Sequence, residues 1–230
     1  MREGQVPARR GWFVTVEGPD GAGKTLVTAR LRDALAARGY PVQATREPGG
    51  TAVGEAVRRI VLDHTPDDAP IDPRADALLF SAGRAQLVAE VIRPALDRGQ
   101  LVLDARHLDS TLAYQGYGEG LPVAFLRELQ AFATAGLRPD LTLLLDVPVE
   151  VGLARKQADE QTRFEAVFDV DFHRRVRDGY LALAAAEPAR FVVIDASAPV
   201  DAVVARGLEA IVARVGAPTG PEDQGARSQR

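Results

Sequence analysis

Eight consecutive residues, Gly18-Pro19-Asp20-Gly21-Ala22-Gly23-Lys24-Thr25, constrain this chain more than any other stretch. They fit the spacing G-x-x-x-x-G-K-[ST], with an apolar run at 12–17 before them and a helical pattern at 25–38 after them. Glycines in a strand–turn–helix let successive N–H groups turn inward around an anion, and the helix aims its positive N-terminal end at the same point. The spacing predicts that Gly18, Pro19, Asp20, Gly21, Ala22 and Gly23 wrap the phosphates of a nucleotide. Lys24 is then placed to reach the β- and γ-phosphates, and the Thr25 hydroxyl to ligate Mg²⁺. The chain has only two lysines, Lys24 and Lys156, among 28 basic residues. A compact ammonium is thus kept where a forked guanidinium is no substitute.

The rest of the chain alternates short apolar runs with longer helical patterns. Strands are expected at 42–45, 101–104, 141–146 and 191–194, and helices at 51–63, 74–98 and 200–215, the long one kinked by Pro94. A Pro- and Asp-rich loop is expected at 65–73. Near-continuous apolar strands alternating with helices imply an α/β fold: a five-stranded parallel sheet flanked by helices on both faces, of the P-loop NTPase type. One domain over 12–215 suits the 230 residues, with a disordered arm at 1–11 and a disordered tail at 216–230.

Composition narrows the class. At 46% hydrophobic the chain can bury a core, and the absence of cysteine excludes disulfides, thiol catalysis and cysteine-held zinc. No apolar run is long enough to cross a membrane, and Arg2, Arg9 and Arg10 are not followed by the apolar core of a secretion signal, so a cytoplasmic protein is expected. A net charge of −4 argues against broad nucleic-acid binding. The chain has no asparagine, and Lys156 lies in Arg155-Lys156-Gln157-Ala158, so the Asn/Thr-Lys-x-Asp element of a GTPase is missing. A small nucleotide or metabolite kinase fits the size. Asp104 and Asp146 each close an apolar run and are candidates for a carboxylate near Mg²⁺, or simple strand-ending caps.

Further elements follow in order: Arg46-Glu47-Pro48-Gly49-Gly50-Thr51, Leu79-Phe80-Ser81-Ala82-Gly83-Arg84, Arg106-His107-Leu108-Asp109-Ser110-Thr111-Leu112-Ala113-Tyr114-Gln115-Gly116 and Arg163-Phe164-Glu165. With the glycine-rich loop, this ordered set resembles the bacterial thymidylate kinase family from residue 12 to about 215. The resemblance implies phosphoryl transfer from ATP to dTMP, with Mg²⁺, in a homodimer. It further implies that Phe80 stacks on the base and Arg84 donates to a base carbonyl, which would oppose the amino group of dCMP. Thr111 and Gln115 would lie near the base, Tyr114 near the sugar, and Asp20 at its 3′-hydroxyl. Arg46 and Arg106 would clamp the acceptor phosphate. A lid at about 155–165 would carry a catalytic arginine, Arg155 or Arg163, or, more weakly, Lys156. Read without the family, Phe80 also suits a core position, Arg46 a solvated loop and Tyr114 a packing role, while His107 and His173 read as structural.

The chain departs from the family pattern at three places. Ala105 stands where the family has the aspartate of an Asp-Arg pair, and Asp104, the candidate stand-in, lies one residue earlier. On a strand, neighbours face opposite sides, which would turn Asp104 away unless the strand end rotates. Thr162 precedes Arg163-Phe164-Glu165 where relatives often carry aspartate, and Leu26 follows Thr25 in place of a second threonine. These departures keep open a kinase for another nucleoside monophosphate such as dUMP, and a weakened or non-catalytic nucleotide binder. The apolar positions around Leu87 and Val91 suit either a dimer interface or the core.

Overall fold

The structure is a computed structural model that describes residues 11–63, 70–156, 163–164 and 168–218. Alternation in β1 (Phe13–Glu17) sets the layers: Val14 and Val16 turn to one face, and Phe13, Thr15 and Glu17 to the other. β1 pairs in parallel with β3 (Leu101–Ala105) on one side and β4 (Leu141–Asp146) on the other. β2 (Val42–Arg46) and β5 (Phe191–Asp195) form the two edges, giving the order β2-β3-β1-β4-β5. The five-stranded parallel sheet covered on both faces is therefore present. Leu103, Leu143, Leu145 and Ile194 pack beneath α1 (Lys24–Ala36) and, through Val203 and Ile211, α9 (Val200–Val215). On the opposite face Phe13 and Val102 meet Leu87 of α3 (Pro73–Leu87), and Leu144 meets Phe172 and Tyr180 of α8 (Val170–Ala186). Each of these fully buried side chains contributes on the order of 1.5–3 kcal/mol.

Local chemistry places the helix starts. The Thr51 hydroxyl accepts the Gly54 N–H at 2.9 Å ahead of α2 (Ala52–Leu62), and Asp72 caps α3, whose first residue is Pro73. The expected long helix at 74–98 is divided into α3, a wide π-type turn (Val88–Ile92) and α4 (Arg93–Asp97). Pro94 lacks an N–H and crowds the carbonyl four residues back, so the turn containing Glu90 widens. Leu87 is fully buried, which assigns it to the core rather than to an interface.

Several elements have no counterpart in the sequence reading: α5 (Leu108–Thr111), a π-type turn (Leu112–Gly118), α6 (Val123–Ala133), α7 (Val149–Ala154) and α8. The strands are also less apolar than expected. Thr15 and Thr142 share a hydroxyl hydrogen bond of 2.9 Å, and Arg190, just before β5, donates to Thr142 at 2.7 Å while forking onto buried Asp109 of the segment after β3 at 2.6 and 2.9 Å. The expected arm and tail lie mostly outside the described residues, as do 157–162 and 165 of the expected lid and 65–69 of the expected loop.

Candidate active site

The carboxyl ends of the strands form the floor of a cavity of about 1180 Å³, which runs from the end of β2 to the loop after β5. Four strand spacings separate those edges, about 19 Å. A single small ligand usually occupies roughly 300–1,000 Å³, so this cavity has room for two. The glycine-rich loop lies at its centre, after β1. Gly21 has φ 72, and a Cβ there would come within 1.9 Å of the Gly152 carbonyl, so only glycine lets the loop seat against α7. Gly23, at φ 84, hands the chain directly into α1.

Lys24 is buried, and its ammonium donates to the Gly18 and Pro19 carbonyls at 2.8 and 2.6 Å. Burial, reinforced by Arg106, lowers its pKa to about 7. Thr25 stands exposed at the first turn of α1 on the cavity wall. Asp20 receives Arg106 at 2.6 Å and the Tyr114 hydroxyl at 2.8 Å. Burial pushes its carboxyl up, but Arg106, Lys24 and Tyr114 together hold it down at about 2. Arg106 has φ 70, rare for a non-glycine residue, and its guanidinium lies 5.0 Å from the Tyr114 ring centre.

The cavity wall is strongly cationic although the chain is acidic overall. Lys24, Arg46, Arg58, Arg106, Arg155 and Lys156 line it, against the carboxylates of Asp20 and Glu47. Both acids are already engaged, Asp20 as above and Glu47 with Arg84 and His107 at 2.7 Å each. Arg46 pairs loosely with Glu55 at 3.0 Å and is half exposed. Phe80, Thr111, Tyr114 and Gln115 line the part of the cavity built by α3 and the segment after β3. Ala196, Ala198, Val200 and Val203 line the part beyond β5, where Arg155 donates to the Ala196 carbonyl at 2.8 Å.

Six of the expected residues are absent from the cavity wall: Arg84, Arg163, Asp104, Asp146, and Gly18 and Pro19, whose carbonyls accept from the Lys24 ammonium. Arg84 is 1% exposed, and its terminal nitrogens are bound to Glu47, Thr111, Gln130 and the His107 carbonyl. It lies directly behind Thr111 rather than facing open space. Arg163 is 4% exposed, paired with Asp76 at 2.7 Å and set over the Phe164 ring at 4.6 Å. Of the two lid arginines, Arg155 alone lines the cavity. Asp104 is fully buried and faces away from it: Leu103 belongs to the α1 side of the sheet, and Asp104 shares the other side with Thr15. Its neighbour is His107, Nδ1 to Oδ2 3.3 Å. Strand parity therefore wins over rotation of the strand end, and Ala105 holds the cavity-facing position. Asp146 is held by Arg177 at 2.7 and 2.9 Å and is absent from the wall. Thr162 lies outside the described residues.

Sequence reasoning gave no role to Glu47, Arg58, Asp76 or the loop after β5. The last was readable in principle, because ligands of open α/β sheets gather at the carboxyl ends of the strands. Asp76, which accepts from Gln115 at 2.9 Å and from Arg163, carries no local signal in the sequence.

A glycine-rich loop at the head of a parallel sheet, with a cationic trough running past it, defines a P-loop nucleotide-binding protein of phosphotransferase type. The sequence profile described as "Thymidylate kinase" matches residues 16–206. The chain is 50% identical to the thymidylate kinase of Deinococcus radiodurans over 205 residues, covering 89% of this chain and 98% of that one. It is 52% identical to that of Desulfovibrio desulfuricans over 210 residues, covering 87% and 95%, and 51% identical to that of Thermomicrobium roseum, covering 89% and 95%. The chain belongs to the thymidylate kinase family.

Proposed function

We propose that this protein transfers the γ-phosphoryl group of ATP to dTMP, giving dTDP and ADP. The observation that carries the reading is the trough itself: six cations around a P-loop, with Phe80 and Gln115 on one side and Ala198 and Val200 on the other. Two nucleosides would occupy the flanks and their phosphates would meet over Lys24. Relatives that cover nearly the whole chain carry the same name. Phosphoryl transfer asks the protein mainly to position the reactants and balance charge. Lys24 and Arg155 would serve the ATP phosphates, and Arg46 and Arg106 the acceptor phosphate. Asp20, fixed as an anion by Arg106 and Tyr114, is suited to accept from a sugar hydroxyl. Phe80 would stack on the thymine, with Thr111 and Gln115 at its edge and Arg84 acting through Thr111.

Mg²⁺ binds hard oxygen ligands and keeps several waters, so it usually enters with the phosphates of a nucleotide. The Thr25 hydroxyl fits that role, whereas among the described residues both carboxylates of the cavity wall are engaged. When bound as Mg·ATP, the ion would offset charge on the phosphate oxygens. We also propose a cytoplasmic homodimer. Val53 and Ile60 on α2, Leu78 on α3, and Phe125 and Phe132 on α6 are exposed, Phe132 by 86%, and α3 packs between the other two helices. No helix among the described residues is long and apolar enough to cross a membrane. The test is ADP release with ATP, Mg²⁺ and dTMP, run beside dUMP, dCMP and dGMP. A clear dTMP preference is expected; equal rates on all four, or none, would refute the reading.

A further inference from the structure

Behind the cavity wall, and reaching it only through Glu47, lies a buried ion network that has no direct part in the phosphoryl transfer. The His107 ring Nδ1 is 2.7 Å from Glu47 and 3.3 Å from Asp104, while Arg84 takes the other Glu47 oxygen at 2.7 Å. All four side chains are almost wholly removed from water. Two carboxylates, a guanidinium and an imidazolium sum to zero, so the set is balanced when His107 is protonated. Glu47, Asp104 and His107 could be mistaken for a metal seat, since their ligand atoms lie within 4.8 Å of one another. Arg84 already places a cation on Glu47, which argues for ion pairing rather than metal binding.

The network is joined by the backbone to both cavity-facing arginines of the acceptor side. Glu47 directly follows Arg46 at the end of β2, and His107 directly follows Arg106 at the end of β3. The Glu47 N–H donates to the Ala105 carbonyl at 2.9 Å, so the two strand ends are also tied to each other. Arg106 holds a left-handed backbone, which costs an ordinary residue about 1–2 kcal/mol and persists only where its surroundings fix it. The fixing points lie on its neighbour. The His107 N–H donates to Glu17 at 2.7 Å, its carbonyl accepts from Arg84 at 2.9 Å, and its ring Nδ1 is hydrogen-bonded to Glu47 at 2.7 Å, with the Asp104 carboxylate 3.3 Å away as a charge neighbour that makes no hydrogen bond.

We propose that His107, bridging Glu47 and Asp104, is a positioning residue that sets Arg46 and Arg106 as one rigid clamp on the acceptor phosphate. The inference rests on the proposed kinase reading. It also accounts for the carboxylate at position 104, since Asp104, unable to reach the cavity, braces the clamp from behind. Because a misplacement of about 1 Å can cost on the order of 10²-fold in rate, loosening this brace should weaken the acceptor side while leaving the ATP side intact.

The test uses the full chain with three variants: His107→Phe, which keeps a ring beside Phe13 but has no ring nitrogen; His107→Asn, whose amide nitrogen can replace Nδ1; and Asp104→Asn, which removes the charge at nearly constant shape. Steady-state constants for dTMP and ATP are measured, with equilibrium dTMP binding by calorimetry as a readout that needs no turnover. His107→Phe is expected to raise the dTMP KM and Kd about tenfold or more and to lower kcat, with the ATP KM within about twofold. His107→Asn should recover most of that loss. Should His107→Phe fail to fold, Asp104→Asn carries the same expectation at about three- to tenfold. Unchanged dTMP constants, or equal losses for both substrates without rescue by asparagine, would overturn the proposal. A wild-type protein that makes no dTDP would instead refute the kinase reading, whereas an active wild type indifferent to His107 and Asp104 refutes the clamp alone.

Discussion

Raising the pH should unfold this protein by a route that passes through His107. Burial by itself drives the imidazole pKa down, but Glu47 and Asp104 outweigh it and hold the pKa at about 9, against about 6.5 in an unfolded chain. The folded state thus keeps a proton that the unfolded state gives up first. The stabilisation is complete below about pH 6.5 and is lost as the pH rises through about 9. A gap of about 2.5 pKa units is worth about 3 kcal/mol, which for a chain of this length is about 6–12 °C in Tm. Asp104 acts in the same direction at lower pH, because burial raises its pKa to about 7. Its folded form also holds a proton more tightly than the unfolded chain, and that share is lost through about pH 7. Glu47, whose pKa is lowered by Arg84 and His107 despite its burial, stays ionised throughout. Calorimetric melting of the wild type and His107→Asn between pH 6.5 and 10 is the assay. The wild type should lose about 6–12 °C more than the variant across that span. Two parallel curves would refute the buried imidazolium.

Ala105→Asp should restore a carboxylate on the cavity wall, where Lys24 and Arg106 offset its charge; we expect kcat to rise about tenfold with Tm nearly unchanged, and an unchanged or lower kcat would count against it. Phe80→Ala removes the stacking face, so the dTMP KM should rise about tenfold while the ATP KM holds, as steady-state kinetics would show. Arg190→Ala leaves fully buried Asp109 without its forked partner, and urea unfolding should report a loss of about 3–5 kcal/mol. Phe125→Glu with Phe132→Glu should convert the proposed dimer to monomer in light scattering while leaving the isolated fold's helicity intact.

What the sequence made legible follows how locally each feature is determined. The loop from Gly18 to Thr25 needs only its own glycines, a strand before it and a helix after it, and the structure has that strand and that helix, with Asp20 to Thr25 on the cavity wall. Strand parity raised the doubt about Asp104 but left it a candidate stand-in; register with Thr15 and Val16 decides against it and leaves Ala105 on the cavity side. The helix α8 was not, because its buried positions Phe172, Val176, Tyr180 and Leu183 are interleaved with arginines that read as surface. The inward turn of Arg84 was equally hidden. It depends on Glu47 and Gln130, remote in sequence, and a buried guanidinium is stable only where such partners converge. Arg163 drew attention as a mobile-lid cation, yet Asp76 and the Phe164 ring hold it in the interior. Long-range partners, rather than local pattern, decided which arginines face the trough.

The trough passes a phosphoryl group from one nucleotide to another, on the reading proposed above. Following the label of γ-³²P ATP in a single turnover, with enzyme in excess over dTMP and with Lys24→Ala as the control, tests it most directly. Label is expected to appear in dTDP in step with ADP, and Lys24→Ala to abolish the transfer. Label released as inorganic phosphate, or transfer undiminished without Lys24, would contradict it.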